Sequence, residues 1–263
     1  MSEFLNEMST SGFDPFDPFR AEVLGGEFTL RPGLDSPIIS QRKPLGLSKE
    51  QFRYLETRLN EVYALKPFKS LLITSAVPKE GKTFVSANLA HGLSKEGQKR
   101  VLLIDGDVRR PSIHSIFGMP NEYGFKDLLA GGSNVWKAVT KIAQSELYVM
   151  PSGKGPCDSI LLPTIDRIRA LLNHVRPVFD LIIFDSSPLL VASDARLLSH
   201  VTDASLLVVQ YGSTPREMVL KAQEVLNGKS ILGTVLNRVD LNHSSYSSYY
   251  GYVYNSSKGQ TRK

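Results

Sequence analysis

A short loop in the first third of the chain carries residue types that bind phosphate. It runs from Ala76 to Thr83, between an apolar run and a helical stretch. Gly81 lets the backbone turn its N–H groups toward phosphate, Lys82 can reach the β- and γ-phosphates, and Thr83 can ligate Mg²⁺. The loop therefore predicts a site for ATP with Mg²⁺. The predicted nucleotide contacts here are Val77, Pro78, Lys79, Glu80, Gly81, Lys82, Thr83 and Phe84.

Acidic residues follow two later apolar runs. Asp105 and Asp107 come directly after Val101–Ile104, and alternate strand residues point to the same side, so we expect the two carboxylates to lie together. Like charges held together need a cation or a shared proton, and Mg²⁺ bound to nucleotide supplies the cation. The run Leu181–Phe184 ends in Asp185, which is the form of a Walker B strand. The predicted metal ligands are Thr83, Asp105, Asp107 and Asp185.

The end of the chain concentrates tyrosine in a Ser- and Gly-rich segment. Buried tyrosines would be spread among strands, so the cluster predicts an exposed, flexible segment. A low-complexity tail without a chemical role is the alternative. The five tyrosines of the cluster are Tyr246, Tyr249, Tyr250, Tyr252 and Tyr254.

Asn237 follows the last apolar run, Ile231–Leu236. Its amide could donate to and accept from the adenine edge of ATP, which adds Asn237 to the predicted nucleotide contacts. Asparagine also ends strands because it suits turns, so both interpretations stay open.

Six apolar runs alternate with helical stretches, which is typical of an α/β fold with a doubly wound, mostly parallel sheet flanked by helices. We predict one P-loop domain over 48–238, beginning with a helix at 48–63 that Ser48 would cap. An extended or disordered arm over 1–47 and a flexible tail over 239–263 flank it. The predicted strands are Ser70–Thr74, Arg100–Ile104, Leu147–Met150, Leu181–Phe184, Ser205–Val209 and Ile231–Leu236, and the further helices are Thr83–Lys95, Ile160–His174 and Arg216–Leu226.

The composition excludes several classes of protein. Cys157 is the single cysteine, so the paired thiolates of zinc and iron–sulfur sites are excluded. No window holds the roughly 18 apolar residues of a membrane span, and we expect a cytoplasmic protein. The net charge of +5 is compatible with phosphate ligands, an acidic partner or an anionic membrane face. The arm repeats Asp-Pro-Phe between Phe13 and Phe19, which could dock on a partner, although a solvated tail is the simpler interpretation.

With these motifs the sequence resembles the bacterial tyrosine kinases that act with polysaccharide co-polymerases, a branch of the P-loop ATPases. The resemblance spans roughly Gly46 to Tyr254. The first motif is similar to Thr74–Thr83, the aspartate motif D-x-D-x-R is met by Leu102–Arg109, and the third motif is met at Asp185. The tyrosine-rich end also looks like that of the family.

The resemblance implies an ATP- and Mg²⁺-dependent autokinase. Lys82 would hold phosphate, Asp185 would help to place the metal, and Arg109 would stabilise the transferred charge. One of Asp105 and Asp107 would accept the tyrosine proton or orient the tyrosine hydroxyl, and the sequence leaves open which.

The resemblance also implies partners. One is a membrane adaptor of the polysaccharide co-polymerase type, which would hold the kinase at the inner face of the plasma membrane. The others are further copies of the chain, in a homo-oligomer. The resemblance also links the kinase to the synthesis and export of capsule or exopolysaccharide. Other protein substrates are possible, and no nucleic-acid partner is expected. In the family's oligomerisation motif E-x-x-R-x-x-R, Glu50 and Arg53 fit and Glu56 replaces the last arginine.

Other departures bear on the rival functions. Lys79 stands where the family commonly has glycine, and Ser187 stands where the third motif often has proline. Positioning ATPases of the septum-site and plasmid-partition type carry a signature lysine where this chain has Val77. Such an ATPase switch is the chief rival, and an adaptor that binds nucleotide without turnover is the third hypothesis.

The tyrosines are expected to be phosphorylated in trans. About ten residues join the last predicted strand to the cluster, and a flexible link of that length has a root-mean-square reach of roughly 17–19 Å. That reach is expected to be too short to curl around the chain's own sheet, which makes the site of a neighbouring copy the easier target.

Overall fold

The computed structural model describes residues 27–28, 38, 46–95, 99–156, 163–226 and 230–239. The tail tyrosines, Cys157 and the Asp-Pro-Phe repeats lie outside these ranges. The strands are β1 (Glu27–Phe28), β2 (Ser70–Ser75), β3 (Val101–Asp105), β4 (Thr140–Ile142), β5 (Leu147–Met150), β6 (Leu181–Asp185), β7 (Ala204–Gln210) and β8 (Ile231–Asn237). The helices are α1 (Gly46–Leu65), α2 (Lys82–Leu93), α3 (Ile113–Phe117), α4 (Phe125–Leu129), α5 (Pro163–Val175), α6 (Ser193–Val201) and α7 (Arg216–Val225), with a 3₁₀ turn at Trp136–Ala138.

The strands form one sheet in the order β1-β4-β5-β3-β6-β2-β7-β8. Neighbouring strands run parallel, except that β4 and β5 are antiparallel. The strands β2, β3 and β6 therefore lie side by side, and their carboxyl ends meet at one edge, where open α/β sheets bind ligands. The predicted doubly wound, mostly parallel fold is confirmed.

The central strands are apolar throughout because helices cover both faces of the sheet. Leu71 and Ile73 of β2 pack into a core with α1 and α2, whereas Leu72 between them packs into a second core with α5 and α6. Side chains alternate between the two faces of a strand, so a strand buried on both sides needs a continuous apolar run. This is why the central strands could be recognised from the sequence.

All six predicted strands are present, and each end lies within one residue of the prediction. The short elements were missed, because β4 has three residues and α3 and α4 have five each, too few to show a period. The capping prediction for Ser48 was wrong: α1 begins two residues earlier, at Gly46, so Ser48 lies inside the helix.

Two parts of the predicted arm join the fold. The strand β1 pairs with β4 at the sheet edge, and Ile38 is buried in the core beneath α1 and α2. Within the described ranges, no helix has both the length and the apolar character that crossing a bilayer requires.

Candidate active site

The phosphate loop connects the end of β2 to the start of α2, as predicted. Gly81 precedes the helix with a φ of 89°, in the left-handed region that glycine adopts most readily. The first backbone N–H groups of a helix have no intrahelical acceptor, so Lys82, Thr83 and Phe84 present free donors beside the loop. Together with the helix dipole, these donors form a site for an anion such as phosphate.

Glu80 holds the loop in shape from inside. Its side chain is 1% exposed, Oε2 accepts from the backbone N of Val77 at 2.8 Å, and Oε1 accepts from the N of Gln210 at 3.2 Å and from the Thr214 hydroxyl. The predicted nucleotide contact Glu80 thus ties the loop to the end of β7. Pro78 and Lys79, by contrast, are exposed on the loop, and Lys79 has a φ of 71°.

Asn237 lies against the same loop. Its Nδ2 donates to the carbonyl oxygen of Glu80 at 2.8 Å, and its Oδ1 accepts from the N of Arg238 at 2.9 Å. Both polar atoms of the predicted adenine contact are therefore engaged within the protein. Each atom can form one further hydrogen bond, so these contacts leave the predicted contact with the adenine edge possible.

Changing Gly81 to alanine should destabilise the protein. A Cβ at this position would lie 2.1 Å from Nδ2 of Asn237, and a positive φ disfavours residues other than glycine. We expect a loss of about 1–2 kcal/mol in the free energy of unfolding, measured by denaturant titration. Gly118→Ala is the matched control, because its φ is also positive but no atom lies within 4 Å of its Cβ position. Equal losses in both variants would contradict the proposed role of the Asn237 contact.

Lys82 and Asp107 form an ion pair at the mouth of the loop. Nζ of Lys82 lies 3.3 Å from Oδ2 of Asp107. The other oxygen of Asp107 accepts from the hydroxyl of Ser187 at 2.8 Å and from the N of Arg110 at 3.0 Å. Asp107 is therefore held in one orientation beside the lysine that is predicted to bind phosphate.

Asp105 and Asp185 are neighbours across β3 and β6, deeper in the same edge. Oδ2 of Asp105 accepts from the backbone N of Ser112 and of Ile113 at 2.9 and 3.0 Å, and Oδ1 of Asp185 accepts from the Ser86 hydroxyl at 3.0 Å. The other carboxylate oxygens, Oδ1 of Asp105 and Oδ2 of Asp185, are buried and have no hydrogen-bond partner among the residues that the structure describes.

Burial disfavours the ionised forms of both Asp105 and Asp185. Burial, followed by the charge of Asp185, raises the pKa of Asp105 to about 8. Burial also raises the pKa of Asp185 to about 6, although the charge of Lys82 and hydrogen bonds from Thr83 and Ser86 oppose the increase. A cation at this edge would favour the ionised forms of both acids.

The residues present fit Mg²⁺ bound to a nucleotide. Buried carboxylate oxygens without partners and the nearby Thr83 hydroxyl are the hard oxygen ligands that Mg²⁺ prefers. Among the described residues, no group of three or more His, Cys, Asp or Glu side chains forms a metal site by itself. Of the predicted ligands, Thr83, Asp105 and Asp185 would therefore hold the metal together with phosphate oxygens, as is usual for Mg²⁺. Both oxygens of Asp107 already contact Lys82, Ser187 and Arg110.

The other predicted site residues lie farther out. Arg109 pairs with the buried Asp194 of α6 through its Nε, at 3.3 Å from Oδ2, while 59% of its side chain stays exposed. Glu50 and Arg53 are exposed on α1 and pair with each other at 3.5 Å. Phe84 joins that helix to the loop, because its ring packs edge-on against Phe52 of α1 at 5.8 Å between centroids.

Sequence reasoning missed three residues that support the site: Ser86, Ser187 and Asp194. Ser86 lies one turn after Thr83 on α2, so helical spacing could have placed it beside Asp185. Ser187 lies two residues after Asp185 and had been noted only as a departure from the family. Nothing in the sequence links Asp194 to Arg109, because only the fold brings α6 beside that arginine.

The sheet, the loop and the acids at its edge define a doubly wound P-loop protein that binds nucleotides. A family model described as "AAA domain" matches residues 79–216. Tyrosine-protein kinase YwqD of Bacillus subtilis (strain 168) is 35% identical over 216 residues, which are 81% of this chain and 91% of that protein.

Two further similarities agree. Tyrosine-protein kinase etk of Escherichia coli (strain K12) is 34% identical over 215 residues, covering 81% of this chain and 30% of that protein. The crystal structure of the chimerical protein CapA2B2 matches with a TM-score of 0.70 and 28% identity, covering 82% of this chain and 94% of that one. The chain therefore belongs to the bacterial tyrosine-protein kinases of the P-loop class, which are ATP-dependent phosphotransferases.

Proposed function

We propose that this kinase phosphorylates the tyrosine cluster at 246–254, using the loop and the three acids described above. The observation that carries the proposal is the Lys82–Asp107 pair beside two buried carboxylate oxygens that lack partners. Lys82 and the N–H groups of α2 would hold the phosphates of ATP, while Thr83, Asp105 and Asp185 would hold Mg²⁺. When bound, Mg²⁺ neutralises charge on the phosphate oxygens.

Asp107 is the proposed proton acceptor. The Asp105 side chain is fully buried and one of its oxygens caps the start of α3, so a tyrosine hydroxyl has little access to it. Asp107 lies nearer the surface, and Ser187 and Arg110 fix its orientation. The tyrosine oxygen bonds to the γ-phosphorus as the bond to ADP breaks, and the hydroxyl proton passes to Asp107.

The exposed Arg109 guanidinium lies on the rim of the site. Its ion pair with Asp194 fixes the guanidinium group, which would stabilise charge on the transferred phosphoryl group.

We further propose that the protein works as an oligomer with a membrane adaptor of the polysaccharide co-polymerase type. It would lie at the inner face of the plasma membrane and regulate capsule or exopolysaccharide synthesis. Support for the oligomer comes from α1, whose exposed Glu50 and Arg53 are available to a second copy. The contact between Phe52 and Phe84 would carry a change at that surface to the loop helix.

The tail is proposed to act on a neighbouring copy, although the argument from reach no longer supports this. The sequence suggested that the tail must curl around its own sheet, but β8 ends beside the chain's own loop, where Asn237 contacts Glu80. Two strand spacings, about 10 Å, separate β8 from β2. Reach therefore permits either route, and the proposal of transfer in trans rests on the surface of α1.

A mixing experiment tests this route. A Lys82→Met chain with intact tyrosines is incubated with ATP, Mg²⁺ and an active chain whose five tail tyrosines are phenylalanine. We expect phosphotyrosine on the Lys82→Met chain, mapped by mass spectrometry, at a rate that rises with protein concentration. Robust phosphorylation of the unaltered chain at a rate independent of concentration, with none in the mixture, would establish transfer within one chain.

A further inference from the structure

A second pocket opens at the opposite edge of the sheet, where β2, β7 and β8 begin. It encloses about 470 Å³, within the range of roughly 300–1,000 Å³ that is typical of small-ligand sites. Because β2 has six residues at about 3.3 Å each, the pocket lies about 20 Å from the phosphate loop. We call it the basal pocket. Its lining includes Tyr63, Lys66, Lys69, Arg176, Asp203 and Leu232.

Asp203 is the single acid among the described residues that line the basal pocket, and neighbouring groups engage both of its oxygens. Oδ2 of Asp203 accepts from the backbone N of Lys69 and from the N and hydroxyl of Ser70, at 2.8–2.9 Å, and Oδ1 accepts from Nη2 of Arg176 at 2.7 Å. Burial opposes ionisation of Asp203, but these hydrogen bonds and the Arg176 charge outweigh it and lower its pKa. Asp203 is therefore a fixed anion that anchors Arg176.

Positive charge exceeds negative charge in the pocket. Lys66, Lys69 and Arg176 face one carboxylate, which leaves a net charge of +2. Nζ of Lys66 contacts only the Ser230 hydroxyl, at 3.1 Å, and forms no ion pair with any described residue. Nζ of Lys69 donates to the carbonyl oxygens of Arg176 and Phe179, and Nη2 of Arg176 donates to Asp203 and to the Ser70 hydroxyl. The pocket thus offers a dianion the Lys66 ammonium as a donor, together with an excess of positive charge.

The walls of the basal pocket fit an aromatic group. Tyr63 and Leu232 line it, and the Tyr63 ring is held edge-on against Phe68 at 5.4 Å between centroids. Nζ of Lys99 lies 4.3 Å from the centre of the same ring, which adds a further positive charge nearby. A ring could pack on this apolar wall while its substituent reaches the cations.

We propose that the basal pocket binds a phosphotyrosine side chain of the 246–254 cluster, from a second copy of this chain or from the chain itself. The proposal rests on the proposed function, because that function supplies phosphate on these tyrosines. A phosphotyrosine carries a charge of about −1.5 to −2, which matches the excess charge of the pocket, and its ring suits the aromatic wall. The pocket lies away from the phosphate loop, so a phosphorylated tail can dock while nucleotide is bound.

Binding of a synthetic phosphopeptide tests the proposal without relying on the kinase reaction. The probe is a peptide of residues 244–256 with phosphate at Tyr250. It is titrated into a chain whose five tail tyrosines are changed to phenylalanine. Calorimetry is done with saturating Mg²⁺ and ADP, so that the nucleotide site is occupied. We expect Lys66→Ala to weaken binding about fivefold, the loss that corresponds to one partly screened ion pair, and Lys66→Glu to weaken it further.

Control variants and ligands separate the possible outcomes. Lys137→Ala, which removes another exposed lysine beside a tyrosine ring, should bind the phosphopeptide as the parent chain does. The melting temperatures should be unchanged, because Lys66 makes one exposed hydrogen bond. Equal binding of the unphosphorylated peptide, or no effect of Lys66→Glu, would refute the proposal. The assignment to phosphotyrosine would be refuted if inorganic phosphate bound as tightly as the phosphopeptide. It would also be refuted if binding to anionic vesicles required Lys66 while binding of the phosphopeptide did not.

Discussion

Changing Lys82 to methionine should remove phosphotyrosine formation and leave the fold intact. Lys82 supplies positive charge where the transferred phosphates would lie, and single electrostatic contacts of this kind contribute about 3–4 kcal/mol to lowering a barrier, or roughly 10²–10³ in rate. The structure adds that Lys82 also faces Asp107 and opposes the increase that burial causes in the pKa of Asp185. Removing Lys82 should therefore weaken the binding of phosphate and also change the electrostatic environment of the acids.

Phosphotyrosine is measured by mass spectrometry after incubation with ATP and Mg²⁺ at matched protein concentration. Lys221→Met is the control, since Lys221 is exposed on α7. A native circular dichroism spectrum of Lys82→Met would show that the fold is retained. Unchanged phosphotyrosine in Lys82→Met would show that the loop is not the catalytic site.

Changing Asp105 to asparagine should stabilise the protein in the absence of Mg²⁺, and more so as the pH rises. In the folded state the pKa of Asp105 is about 8, against 3.8 for the unperturbed group. The folded state thus keeps a proton that the unfolded chain releases, so the free energy of unfolding falls as the pH rises from about 4 to about 8. Asparagine mimics the protonated acid and can still accept from Ser112 and Ile113.

We expect a gain of about 2 kcal/mol or more at pH 8, since one pKa unit corresponds to about 1.4 kcal/mol, and almost no gain near pH 4. Denaturant titrations of the Mg²⁺-free protein across this range provide the measurement. The control is Asp166→Asn, because the Asp166 side chain is 82% exposed. A loss of stability at pH 8, or the same change at every pH, would mean that the carboxylate itself holds the structure together.

The sequence predicted what local patterns determine. The central strands and most of the helices around them were recognisable from long apolar runs and helical spacing, whereas the nine-residue α6 was missed. Both acids of the aspartate motif and Asp185 were placed correctly at one edge, because the carboxyl ends of neighbouring parallel strands meet there. Lys82 was likewise placed correctly beside them, as the start of the loop helix.

Contacts between distant parts of the chain could not be predicted. No local pattern indicates that Glu80 turns inward, that Asn237 holds the loop, or that Asp194 binds Arg109. Each contact depends on the order of strands in the sheet, which the sequence left open. The same gap explains why the argument from tail reach failed, since it did not place the end of β8 beside the loop.

The hydrogen bond between Asn237 and Glu80 also bears on how the protein acquires its activity during synthesis. The two residues are separated by 157 positions, yet the shape of the phosphate loop depends on both. During synthesis the loop leaves the ribosome early, and its hydrogen bond with Asn237 can form only after β8 has been synthesised. The nascent chain therefore completes its nucleotide site late, when the rest of the sheet has already been made.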